Sequence, residues 1–215
     1  NDVDMRFVFT ARFWIGTLVL FLFLWQQKQL KINWKDRWPL VLAISVVGVV
    51  GNSYVYHITL NYLPATLVMI LENLSPIFVL LMSFLLYQIR PTFIQIFTFF
   101  LSFVGLLFIV LGKNQFSDLH PQFNFGIFLG VITGFTFGFY TFFSAVLVKP
   151  LRGNPIQIIQ FLFKILLLSS LLSLPVMLRS HTLPHNATEW FWLLEMGIFQ
   201  SGLAYIFWNY ALSAL

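Results

Sequence analysis

Cysteine does not occur in this chain, so neither a disulfide nor a thiolate metal site can enter an account of it, and the redox compartment stays undetermined. Charge is scarce too. Only 9% of the 215 residues are Asp, Glu, Lys or Arg, against 59% hydrophobic ones, and a soluble domain needs more charge than this to cover its surface. An integral membrane protein is the consequence. The four histidines are scattered without metal-ligand spacing. No GxxxxGK[ST] loop is present, which argues against ATP hydrolysis, and no His/Asp/Glu cluster or Ser/His/Asp set suggests an enzyme. No cofactor is expected. Asn1 to Met5 are acidic where a cleavable signal sequence would be basic.

What remains is a series of apolar segments, at 7–25, 39–60, 64–87, 92–112, 124–148, 155–178 and 190–209. Each is of spanning length, because about 20 apolar residues cover the ~30 Å hydrocarbon core of a bilayer. The expected fold is an all-α membrane protein, a polytopic transmembrane helix bundle with about seven helices in this chain. The net charge of +5 does not call for nucleic acid as a partner, since the basic residues sit in short loops. Lys28, Lys31, Lys35, Arg37, Arg90, Lys149 and Arg152 mark the cytoplasmic side, whereas Lys113 and Arg179 fall on the outer side. A multi-pass location in the cell membrane is expected, with the lipid bilayer as a partner.

Set against itself at an offset of 152 residues, the chain falls into two halves in register. Arg12 aligns with Lys164, Tyr56 with Trp208, His57 with Asn209, and Thr59, Leu60 and Leu63 with Ala211, Leu212 and Leu215. Five helices separate the equivalents, so the halves would be inverted in the membrane, an arrangement found in secondary transporters.

Several stretches carry a family resemblance. These are Gly197 to Leu215 (GIFQSGLAYIFWNYALSAL), Thr59-Leu60, Asn73 to Phe78 (NLSPIF), Arg90 to Gly112 (RPTFIQIFTFFLSFVGLLFIVLG) and Arg12-Phe13. Together they resemble EamA-type members of the drug/metabolite transporter superfamily, over helices two to eight of ten. The resemblance implies inverted five-helix repeats: 1–115 as a first repeat lacking its first helix, 116–215 as a second lacking its last two. One departure is that Gln88-Ile89 stand where the family usually has Gly-Glu.

The charged and polar residues inside the apolar segments are the candidate site. Glu72 lies about seven residues into its helix, roughly 10 Å deep at the usual rise. It is open to three readings: a fixed ion pair with Arg12, a cavity-facing group that binds a cation or carries a proton, or a carboxylate near the headgroups. Lys164, near mid-membrane, is either a substrate anchor for an anionic or zwitterionic solute or a helix-packing lysine. His57 and Asn209, with Tyr56 and Trp208 and the neighbouring Tyr54 and Tyr205, could offer hydrogen bonds and stacking. Interfacial anchoring is the favoured reading for that set. Pro76 is expected to bend its helix and free the carbonyl of Glu72. Gly126, Gly130, Gly134 and Gly138 form a ladder for close helix packing. Asn186-Ala187-Thr188 matches a glycosylation sequon.

The function expected is secondary transport of small metabolites, such as amino acids or related solutes, by alternating access, with proton coupling left open. The alternative is a seven-helix receptor or retinal-type photoprotein with Lys164 as a Schiff-base site. Against it, that lysine lies in the sixth span, and the repeat would have no role.

Overall fold

A computed structural model describes residues 4–30, 37–111, 121–180 and 182–214. Seven helices follow one another: α1 (Met5–Gln26), α2 (Trp38–Thr59), α3 (Ala65–Tyr87), α4 (Phe93–Leu111), α5 (Pro121–Val148), α6 (Pro155–Met177) and α7 (187–214). No strand occurs among the described residues. Lys31, Lys35, Lys113 and Leu215 lie outside the described residues, as does the expected repeat boundary at 115.

Local chemistry sets the helix starts. Asp4 accepts from the Arg6 amide at 2.9 Å, and Asn154 caps α6 through the Gln157 amide with Pro155 following it. Thr92 and Gln95 cap α4 reciprocally, each side chain accepting from the other's backbone amide. Asn186 and Glu189 do the same work for α7, where Asn186 Oδ1 accepts from the Glu189 amide at 2.8 Å and Nδ2 donates to its carboxylate at 2.9 Å. Both ends of the sequon asparagine are thereby engaged in capping.

Five of these helices are long and apolar enough to cross a membrane: α1, α2, α3, α6 and the 124–151 portion that contains most of α5. Of the other two, α7 is diluted by Glu189, Glu195, Gln200 and Asn209.

Two helices carry a rare interruption. Ile44–Gly51 within α2 and Met196–Leu203 within α7 are π-helical, eight residues each. Such segments make up well under 1% of residues in proteins and concentrate at functional sites. Their starts lie 152 positions apart, as do their ends.

The helices pack as two compact units, 1–46 with 143–215 and 47–142. In the first, α1 runs along α6 and against the π segment of α7. Phe13, Leu20 and Leu24 of α1 are fully buried, as are Leu162, Ile165 and Leu166 of α6. Buried hydroxyls lie among these apolar residues: Thr17 Oγ1 and Ser170 Oγ are 3.0 Å apart, and each is also within reach of its own helix's carbonyl four residues back. A Cβ placed on Gly197 would lie 2.5 Å from Cβ of Ile15, so glycine is what lets α7 approach α1 there.

In the second unit α3 is interrupted. Its first part ends at Glu72, Asn73 and Leu74 form a turn, and the second part, Ser75–Tyr87, starts with Pro76 in its first turn, where the missing N–H does no harm. The glycine ladder of α5 lies against this broken helix. A Cβ at Gly134 would come 2.7 Å from the Leu71 carbonyl oxygen, and one at Gly138 would come 2.9 Å from that of Ser75. Gly126 is closed by Leu63 and Tyr62, Gly130 by the Leu71 side chain. Leu63, Leu67, Val68 and Leu71 form the core here, with Tyr56 and Ile127 packed on it.

Candidate functional site

Three spans of the second unit bring polar side chains together at the break in α3. Glu72 closes the first part of that helix, half-buried. Asn52, the first residue after the π segment of α2, donates from Nδ2 to Glu72 Oε1 at 3.0 Å. Thr136 of α5 is only 6% exposed and donates from Oγ1 to Asn52 Oδ1 at 2.8 Å. Thr136 stands between Gly134 and Gly138 in sequence, so the ladder that draws α5 onto α3 also delivers this hydroxyl. In an apolar surrounding each of these groups needs a partner, and a shared chain of donors and acceptors supplies one.

The other expected residues of this unit sit one to two turns further along α2. His57 Nδ1 lies 2.6 Å from the Ser53 carbonyl oxygen. Since a carbonyl only accepts, the ring proton sits on Nδ1 in this arrangement. Tyr56 meets the His57 ring edge-on at 5.8 Å and packs on the Leu63–Leu71 core.

The first unit carries a separate set. Arg12 of α1 donates from Nη1 to Oε1 of Gln200, within the π segment of α7, at 3.3 Å. Lys164 of α6 is half-buried between the buried Phe163 and Ile165. Asn209 of α7 is fully buried and donates from Nδ2 to the Tyr205 carbonyl at 2.9 Å, whereas its neighbour Trp208 is 42% exposed. His57 and Asn209 thus engage carbonyls at corresponding places, each four residues back along its own helix.

Asn52, Thr136 and Gln200 are not among the residues singled out from the sequence. A signal for Asn52 was available: it is an amide within a 22-residue apolar span, where a polar side chain needs a partner. Thr136 carried none, because threonine in a membrane helix is ordinarily satisfied by its own backbone.

Taken alone, a carboxylate at the end of a chain of polar side chains inside apolar helices fits a membrane protein that handles a polar solute or ion. The EamA-like transporter family matches residues 1–111 and 124–215. The chain belongs to that family. EamA membership makes it a multi-pass integral membrane protein of a transporter family and displaces the receptor or photoprotein alternative. An uncharacterized transporter from Archaeoglobus fulgidus is 28% identical over 132 residues, which are 60% of this chain and 43% of that protein. The chain therefore spans less than half the length of that relative. A crystal structure matches with a TM-score of 0.77 at 19% identity, over 99% of this chain and 72% of the other, and this likeness bears on the fold alone.

Proposed function

We propose that this EamA-family protein is a secondary transporter of small metabolites such as amino acids or related solutes, working by alternating access between two inverted halves, 1–115 and 116–215. The observation that carries the reading is the Glu72 carboxylate at a helix break inside an apolar span, bonded by Asn52 of α2, which is itself bonded by Thr136 of α5. Broken helices and intramembrane carboxylates are what a solute path through a bilayer needs. Support for the halves comes from the π segments, which recur 152 positions apart, and from the matched carbonyl bonds of His57 and Asn209. The family's two matched stretches also fall on either side of 112–123.

In this reading Glu72 takes a cationic group or a proton, with Tyr56 and His57 on α2. Lys164 anchors an anionic or zwitterionic group, with Arg12, Trp208 and Asn209 as the other polar and aromatic residues of that set. The test is uptake of a panel of radiolabelled L-amino acids into proteoliposomes holding the full-length protein. Glu72→Gln is expected to abolish uptake, and Lys164→Ala to raise the apparent KM. Wild-type uptake by E72Q would remove Glu72 from the site; an unchanged affinity in K164A would remove Lys164.

A further inference from the structure

The two ends of an asparagine amide are alike in shape and opposite in chemistry, so the partner at one end decides which group is presented at the other. At Asn52 that partner is Thr136. The Thr136 hydroxyl has one proton and three acceptors within reach: Asn52 Oδ1 at 2.8 Å, the Thr133 carbonyl at 2.9 Å and the Ile132 carbonyl at 3.1 Å. When the proton goes to Asn52, Oδ1 is held at the Thr136 end and Nδ2 points to Glu72 Oε1. If it went to the helix backbone instead, the hydroxyl oxygen would accept from Nδ2, and Oδ1 would face the carboxyl group of Glu72. The choice made by one hydroxyl proton on α5 is thereby passed through α2 to α3.

We propose that Asn52 and Thr136 are positioning residues for the Glu72 carboxyl group, Thr136 acting through Asn52 to set which end of the amide that group meets. The consequence for transport rests on the reading of Glu72 given above; the positioning itself does not. Geometry favours a dedicated arrangement over incidental packing. Thr136 already has two backbone acceptors of its own, yet its shortest contact is to a side chain 84 residues away.

The experiment is infrared difference spectroscopy of the full-length protein in lipid, in which wild type minus Glu72→Gln isolates the Glu72 carboxyl bands. Asn52→Leu is expected to displace those bands most, and Thr136→Val to displace them less and in the same direction. Thr136→Ser, which keeps the hydroxyl, should superimpose on wild type. Thr136→Val has nearly the shape of the native residue, and thermal unfolding of each variant separates loss of the contact from loss of the fold. Bands of T136V that coincide with wild type, or bands of T136S displaced like those of T136V, overturn the proposal. Uptake of the same radiolabelled L-amino acids gives the second readout. T136V should raise the apparent KM about fivefold at unchanged maximal rate, the factor that corresponds to about 1 kcal/mol for one hydrogen bond, and T136S should restore it. Displaced bands with wild-type uptake by E72Q would overturn the transport role of Glu72 and leave the positioning intact. Undisplaced bands with inactive E72Q would do the reverse.

Discussion

The α3–α5 contact and the α1–α6 contact solve the same problem by opposite means. Between lipid-soluble helices no hydrophobic driving force operates, so association depends on close packing and on hydrogen bonds. At α3–α5 glycines bring one backbone against the other, with the Leu71 and Ser75 carbonyl oxygens facing Gly134 and Gly138. At α1–α6 large side chains such as Phe13 and Leu166 are buried, and one hydroxyl pair, Thr17 with Ser170, crosses the seam. The first contact is limited by backbone, which cannot move aside. The second is limited by side chains, which can.

That difference orders the expected effects of substitution. Gly134→Ala drives a methyl group against a carbonyl and should destabilise the protein by about 1–3 kcal/mol, the usual range for overpacking, read as a lowered midpoint of thermal unfolding in detergent. Gly130→Ala meets the Leu71 side chain instead, whose far end can rotate, so its loss should be smaller than that of G134A. Equal losses at the two positions would erase the backbone argument. Ser170→Ala at the other seam should cost least, about 0.6 kcal/mol, the average for hydrogen bonds between membrane helices. The loss is small because Thr17 Oγ1 keeps the Phe13 carbonyl, 2.7 Å away. A Ser170→Ala loss as large as that of G134A would mean that the hydroxyl pair, and not the packing, holds α1 to α6.

How much of this was legible follows from the range of each signal. The seven helices are plain in the apolar runs, and their ends agree within a few residues because capping residues such as Asn154, Thr92 and Asn186 act locally. The glycine ladder was legible from its spacing of four, whereas Gly105 of α4, alone in its helix, has nothing within 4 Å. Glu72 stood out as a charge in an apolar run. Its partner Asn52 and that residue's partner Thr136 did not, since Asn52 lies 20 positions from Glu72 and 84 from Thr136, and the three meet only once α2, α3 and α5 are packed. The π segments left no mark either. ISVVGVVG and MGIFQSGL share an offset and two glycines each, but no aligned position carries the same residue in both, so nothing announces a wider turn.

That wider turn sets a rotational phase. In an α-helix each residue advances the facing direction by about 100°, so a turn that accommodates one extra residue swings everything after it through that angle without breaking the helix. Asn52 is the first residue of α2 to inherit the swing. With all its residues kept but 44–51 wound as a plain α-helix, α2 would present the Asn52 amide about 100° away from Glu72. The π segment thus works as a compass setting: it leaves the chemistry of the span unaltered and decides where that chemistry points.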